Sequence, residues 1–341
     1  MLRFVVRRLL QGALVVFLAA TAAFLLLHLA PGDPIAATLD SPIVPESVRQ
    51  HWRAVYGLDR PVAEQYWRWI VAAAHGDLGW SFSIRRPVVD VLGDALPNTL
   101  LLVGTAIAAG FAAGIGAGVL QAYLRVRGSR GGRTLDRALG AVTVFFFSLP
   151  EFWLAIALLV LFTFVLPILP SSGAFDPVMH EYMGPAERAL DRAVHLVLPA
   201  LTLALGALAV VARHQRAALL EVAREDYLRT ARAKGVRERT VLLRHALRNA
   251  LIPVITLLGL AVPALVGGVV FVEKVFGWPG MGLVAVNAVG ARDYPLVTGA
   301  VVVGSVAVTL GALLSELLHA VVDPRLRAGG SRAPTRARVA A

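Results

Sequence analysis

Five stretches of the chain carry no Asp, Glu, Lys or Arg at all: Leu9–Ala30, Ala95–Leu124, Ala193–Ala212, Asn249–Val272 and Tyr294–Ser315. A sixth, Ala138–Phe175, is interrupted only by Glu151. A helix rises about 1.5 Å per residue, so each run is long enough to cross a hydrocarbon core of roughly 30 Å. In lipid every backbone N–H and C=O must find a partner inside the segment, which leaves helices or closed barrels. Barrel strands alternate over segments of about ten residues, whereas these runs are continuous. The expected fold class is therefore all-α, a polytopic membrane protein with six transmembrane helices. Arg3, Arg7 and Arg8 precede the first run as they would in a signal peptide, but that run exceeds the usual apolar length of about 7–15 residues.

Composition agrees. Apolar residues make up 57% of the 341 residues and charged residues only 16%. A soluble domain carries about 25% charged residues, so a soluble two-domain enzyme is excluded, and the apolar content excludes disorder. There is no cysteine, which removes disulfides and cysteine-held zinc or iron–sulfur sites.

The net charge of +11 is resolved by position. With six spans both termini share one side. If that side is the cytoplasm, segments 1–8, 125–137, 213–248 and 316–341 sum to +16, and segments 31–94, 167–192 and 273–293 to −4. Basic residues accumulate on the cytoplasmic side of membrane proteins, so both termini are expected inside. The same spread argues against nucleic acid as a partner, because the basic residues form no single stripe. The arginines of the C-terminal tail read as a solvated segment near anionic lipid.

Three regions are expected. Residues 1–94 hold the first span and an outer loop with short helices at Glu46–Tyr56 and Val62–Ala74, the second bearing Tyr66, Trp67 and Trp69 as an interfacial cap. Residues 95–320 hold five spans and a cytoplasmic segment, 221–248. Residues 321–341 form a tail. Within the second span Gly110, Gly114 and Gly118 share one helix face, which lets another helix approach closely. Pro253, Pro263, Gly267 and Gly268 mark the fifth span as breakable. Glu151 lies 14 residues beyond Arg137, about 21 Å along a straight helix, which places a carboxylate near mid-membrane. Such groups are costly there and often functional. A local hydrogen bond at the Pro150 kink or a contact with a partner subunit is the other reading. His28 and His195 are expected at the membrane interface.

The cytoplasmic segment is too organised for a tether. In Asp226-Tyr227-Leu228-Arg229-Thr230-Ala231-Arg232-Ala233-Lys234-Gly235, Asp226 suits an N-cap and Gly235 a C-terminal stop. A second helical stretch, Arg237–Ala250, follows. A short amphipathic helix between longer ones suits docking into a partner's groove; resting on lipid is the alternative.

This segment resembles the cytoplasmic signature of permease subunits of binding-protein-dependent ABC importers. Arg229-Thr230-Ala231 stands in place of Glu-Ala-Ala, Gly235 matches the signature glycine, and His245-Ala246-Leu247-Arg248 stands for the closing I-x-L-P. The departures are similar to the B-type permeases of the dipeptide, oligopeptide and nickel subgroup. So are Pro31-Gly32-Asp33-Pro34, Gly57-Leu58-Asp59, Gly76-Asp77-Leu78-Gly79, Leu96-Pro97-Asn98-Thr99 and Ser148-Leu149-Pro150-Glu151-Phe152-Trp153. Further on, Phe276-Gly277-Trp278-Pro279-Gly280-Met281-Gly282, Arg292-Asp293-Tyr294-Pro295 and Asp323-Pro324-Arg325 complete the likeness, which spans residues 1 to about 327. The resemblance implies a type I importer permease fold moving di- or oligopeptides by alternating access. It implies a second permease subunit, two ABC ATPase subunits and an extracytoplasmic substrate-binding protein as partners. It implies ATPase coupling through Asp226, Arg229, Thr230, Ala231, Arg232, Lys234 and Gly235. ATP and magnesium would be held by the ATPases, with no cofactor or metal in this chain.

The chain's own residues agree that ATP chemistry lies elsewhere. A P-loop needs Gly-Lys followed by Ser or Thr. The two lysines, Lys234 and Lys274, follow Ala233 and Glu273. No H-E-x-x-H or G-x-S-x-G motif is present either, so no catalytic residue is expected. The competing reading is a proton-coupled secondary transporter, with Glu151 and the intramembrane histidines as the relay.

Overall fold

The computed structural model describes residues 2–29, 45–55 and 57–322. The Pro31–Pro34 and Asp323–Arg325 segments and the basic tail lie outside the described residues, as do the side chains at 262–268, which include Pro263. Twelve helices are used below: α1 (Leu2–Leu29), α2 (Glu46–Val55), α3 (Val62–Ala74), α4 (Val88–Arg127), α5 (Arg130–Ser148), α6 (Glu151–Val165), α7 (Pro185–Val222), α8 (Asp226–Ala233), α9 (Glu238–Ala250), α10 (Ile252–Phe276), α11 (Met281–Gly290) and α12 (Tyr294–Val322). The described residues contain no strand, only an isolated bridge between Trp80 and Pro87.

Two of the spans are longer than their apolar runs. Helix α4 has 40 residues and α7 has 38, about 60 Å each. Both project well beyond the hydrocarbon. The glycine face of α4 decides how they pack. A Cβ on Gly110 would stand 2.8 Å from the Ala204 carbonyl oxygen, one on Gly114 2.7 Å from Val211 Cβ, and one on Gly118 2.6 Å from the Ala212 oxygen. No side chain fits at these positions, so α7 lies directly on the α4 backbone, as the glycine spacing predicts. The contacts rise in register along both helices, so α4 and α7 run parallel. The chain between them must therefore cross back.

That crossing is α5 with α6, and it departs from the expected straight span. The helix breaks at Leu149–Pro150, both extended, and the two parts meet at 104°. Proline cannot donate the next helical hydrogen bond, and the residue before it is driven out of the α region. The 21 Å measured along a straight helix therefore does not apply to Glu151, which is the first residue of α6. The last turns of α6, Val160–Val165, widen into a π-helix.

Helix α1 runs antiparallel to α12. Arg8 pairs with Glu316, Gly12 abuts Thr309, and the His28 ring lies 5.5 Å from that of Tyr294. The start of α1 and the end of α12 are therefore on one side. The rest of α1 is bare: Leu10, Leu14, Leu18 and Leu26 are exposed apolar side chains suited to lipid. Rather than lying free in a headgroup layer, Tyr66 and Trp69 of α3 are tied to α1. The Tyr66 hydroxyl is 2.8 Å from Thr21 Oγ1, and Trp69 stacks on Phe24 at 5.5 Å. Trp67 remains exposed. Helices α1, α4, α7 and α12 each satisfy the requirements of a span, the α5–α6 pair makes a fifth, and α10, which takes part in both other bent pairs, makes a sixth.

The end of the bundle where α12 begins is closed by a turn that the apolar runs did not reveal. Glu273 ends the charge-free run, and the sequence reading placed 273–293 outside the membrane as a loop. Glu273 is instead fully buried within α10, and α11 folds back at 79°. Its carboxylate accepts the Thr99 hydroxyl at 2.6 Å and the backbone N–H groups of Gly282 and Leu283, the latter at 3.0 Å. It thus caps α11 from another helix, filling the role of the missing N-cap side chain. The Thr99 oxygen accepts the Met281 N–H at 2.8 Å, and Trp278 Nε1 donates to the Asn98 carbonyl at 3.0 Å. Gly280 and Gly282 are required here, because a Cβ on either would collide with the Glu273 carboxylate. A second buried carboxylate, Asp293, starts α12. It accepts Ser81 Oγ at 2.6 Å, Ser83 Oγ at 2.7 Å and the Leu296 N–H at 3.2 Å, tying loop 76–87 to the last span.

Candidate functional site

Helix α8 emerges four residues after the end of α7. Its boundaries differ slightly from the sequence expectation. The N-cap position is Glu225, in extended conformation with no side-chain cap bond, and Asp226 is the first helical residue. The reading of Asp226 as the cap is thereby corrected. Its carboxylate instead lies 3.2 Å from Arg229 Nη1, one turn on, where it still favours the positive end of the helix dipole. The other end matches the expectation. Gly235 has φ +76°, its N–H donates to Arg232 O at 2.9 Å, and the Val236 N–H donates to Ala231 O at 3.2 Å. These are the two bonds of a Schellman stop, in which glycine takes the left-handed position without a Cβ penalty.

The helix has two faces. Leu228 is fully buried among Leu219, Val241, Leu242 and Ala246, with Ala231 packed at the edge. Arg232 shares that inner face. Its guanidinium forks onto Glu238 of α9 at 2.9 and 3.0 Å and donates to the Ala223 carbonyl at 3.0 Å. The hydrogen bonds it donates to Glu238 hold the Arg232 guanidinium above its ordinary range, so it stays charged. Tyr227 Oη donates to the His245 carbonyl and accepts the Asn249 amide at 3.0 Å. Asp226, Arg229, Thr230 and Ala233 fall at i, i+3, i+4 and i+7 on the opposite, exposed face, with Lys234 and Gly235 beyond them. The structure therefore divides the expected coupling residues. Asp226, Arg229, Thr230, Lys234 and Gly235 are presented outward, whereas Ala231 and Arg232 hold the helix down. The continuation expected over Arg237–Ala250 is α9, which is helical from Glu238 with a π segment at Val241–Ala246.

Glu151 lies elsewhere. The break at Pro150 turns its side chain toward α7, where its Oε1 would be 4.0 Å from a Cβ on Gly206, near the middle of that helix. It lines a cavity of about 330 Å³ with Phe111, Phe146, Leu149, Val210 and Leu257. No described residue donates a hydrogen bond to it or pairs with it, so the alternative, a local hydrogen bond at the kink, is not made. No histidine lines this cavity. His28 bonds Phe24 and Gln65, and His195 bonds Asp191 near the N-terminal end of α7. The relay of the competing reading is not assembled. No group of His, Asp and Glu suited to a metal ion occurs among the described residues.

These features define a multi-pass, α-helical membrane protein that presents one rigidly seated helix outside its spans. Its family is shown by comparison: the chain belongs to the binding-protein-dependent transport system inner membrane components. That description matches residues 110–328, and the N-terminal part of such membrane components matches residues 1–103. A relative from Brucella suis biovar 1 named "Putative peptide permease protein" is 38% identical over 329 residues, covering 96% of this chain and 99% of the relative. The glutathione transport system permease protein GsiC of Escherichia coli (strain K12) is 38% identical over 327 residues, with the same coverage. The chain is thus an ABC importer permease subunit of the inner membrane, in a family whose members work with ATPase and substrate-binding partners. The resemblance carried by the short motifs is borne out at the level of family and fold.

Proposed function

We propose that the chain is one half of a permease pair that admits small peptides, glutathione-like tripeptides among them, by ATP-driven alternating access. Both termini and α8 face the cytoplasm. Two ATPase subunits hydrolyse ATP, one of them seated on the outward face of α8, and an extracytoplasmic binding protein delivers cargo to the outer end. The names of the relatives support peptides as the cargo class. The observation that carries the coupling reading is the seating of α8. Leu228 and Arg232 anchor one face, the Gly235 stop fixes its length, and Asp226, Arg229, Thr230 and Ala233 are left for a partner. ATP shifts the permease only if it binds one conformation of the assembly better than the other. A helix bolted to α7 and α9 transmits that difference to the spans; a floppy one would absorb it. Glu151 lines the route between the two permeases and meets the cationic end of passing cargo.

The test is Gly235→Pro. Proline cannot adopt positive φ and removes the N–H that bonds Arg232 O. The expected result is normal membrane insertion and partner assembly with uptake of a labelled dipeptide lost. Full uptake by this variant would overturn the assignment of α8.

A further inference from the structure

On the other side of α7 from its apolar core, where α4, α5 and α7 come together away from the α10–α11 turn, there is a second cavity of about 670 Å³. Gln121 and Arg125 of α4, Asp136 and Arg137 of α5, and Arg213 and Arg216 of α7 line it. One pair of charges is already matched. Asp136 is buried and takes a two-pronged bond from Arg216, both contacts at 2.8 Å. The other three guanidiniums have no carboxylate partner among the described residues. Arg213 lies over the Phe147 ring at 4.8 Å, a contact that orients it without neutralising it. Gln121 adds a separate signal: it is 1% exposed, lines the same cavity, and its side-chain N–H₂ donor has no partner. A donor buried without an acceptor is destabilising. The donor is left without an acceptor in a cavity that also presents three exposed guanidiniums, two of which, Arg125 and Arg137, act on Asp136 only at a distance.

We propose that this cavity is a binding site for a phosphate-bearing anion. Guanidiniums match phosphate oxygens with forked hydrogen bonds. Three of them approach from three helices, together with one amide donor. A carboxylate presents its acceptor sites in one plane, whereas a phosphate presents three or four oxygens in tetrahedral directions, which suits donors arriving from three helices. The cavity is larger than the phosphate itself, so the ligand carries a further polar group. The occupant staples α4, α5 and α7 beside the Asp136–Arg216 bond, close to the cluster of Ala122, Leu219 and Leu228 that seats α8. The inference stands on this cavity alone and does not depend on how the chain couples to ATP.

The phosphate comes from a soluble ester or from an anionic lipid headgroup, and two arms separate the sources. In the first, the purified full chain is unfolded thermally in inorganic phosphate and in chloride at equal ionic strength. In the second, the chain is placed in nanodiscs of mixed phosphatidylglycerol and phosphatidylcholine, and retained lipid is read by native mass spectrometry. An upward shift of about 2–4 °C in phosphate, lost in R137Q/R213Q, supports a soluble ligand. Several-fold enrichment of phosphatidylglycerol, lost in the same variant, supports a headgroup. With the repulsion between cations relieved, R137Q/R213Q is expected to melt no lower than wild type in chloride. Q121L, which removes the orphaned donor, should weaken either signal while leaving the chloride melting point unchanged or raised. Equal responses in wild type and both variants, in both arms, would overturn the site.

Discussion

Glu273 shows how one residue can be misplaced by an otherwise sound rule. A carboxylate at the end of an apolar run reads as the start of a solvated loop. Here the neighbouring Thr99 hydroxyl and two N–H groups of the next helix replace water, so the carboxyl group is buried where it caps α11. Glu273→Gln keeps the volume but turns an NH₂ toward backbone donors. It is expected to lower unfolding free energy by about 1–3 kcal/mol, seen as an earlier transition in detergent, with Thr99→Val showing a smaller loss in the same direction. A lack of change in either would contradict the capping role. Gly235 is the counterpart on the exposed side. Gly235→Ala is expected to cost about 1 kcal/mol in the left-handed position, with little effect on overall melting, because α8 is a short peripheral helix. Glu151→Gln probes the apolar pocket. It is expected to leave the melting point unchanged or slightly raised, since the carboxylate has no partner, while reducing uptake of peptides with a free amino terminus.

Between elements, the α4–α7 contact sets the frame. Their close approach follows from three glycines on one face, and the expected consequence of Gly114→Leu is separation of the two helices. That variant should be recovered in lower yield and be cleaved by protease at lower concentration than wild type. Gly116→Ala is the control, because no atom of another element lies within 4 Å of the position where its Cβ would stand. The attachment of α8 to α9 is testable in the same way. Arg232→Ala removes three hydrogen bonds at once and leaves Glu238 unpartnered. It is expected to abolish or strongly reduce uptake although Arg232 does not face the partner, and Arg232→Lys, which cannot fork, should recover only part of the activity. Recovery of full uptake by Arg232→Ala would mean that the seating of α8 is dispensable.

At the scale of the molecule, the antiparallel pairing of α1 with α12 places both described termini on one face, and the proposal that this face is cytoplasmic, which rests on charge counting, is testable. The natural chain contains no cysteine, so single-cysteine labelling needs no background correction. Ala233→Cys is expected to react with a membrane-impermeant maleimide only in inverted vesicles stripped of the proposed ATPase partners, and Tyr182→Cys, at an 83% exposed position, only in whole spheroplasts. The reverse pattern would invert the topology and remove α8 from reach of any ATPase.

The number of spans, their helical nature and the outline of α8 were legible in the sequence because each depends on local chemistry. Charge-free runs must be buried in lipid, and a left-handed stop after a short amphipathic stretch calls for glycine. Family membership was legible for a related reason, in that short motifs keep their order along the chain. What the tertiary structure alone decided is which of those motifs meet. Thr99 and Glu273 are 174 residues apart, and Ser81 and Asp293 are 212, yet each pair is hydrogen-bonded. The break at Pro150 was visible as a proline, but its 104° angle was not, because a kink is set by what packs on either side of it. In the same way the sequence placed Arg232 among the outward residues of α8. Its inward turn depends on Glu238 and the Ala223 carbonyl, and such partners are chosen by packing in space.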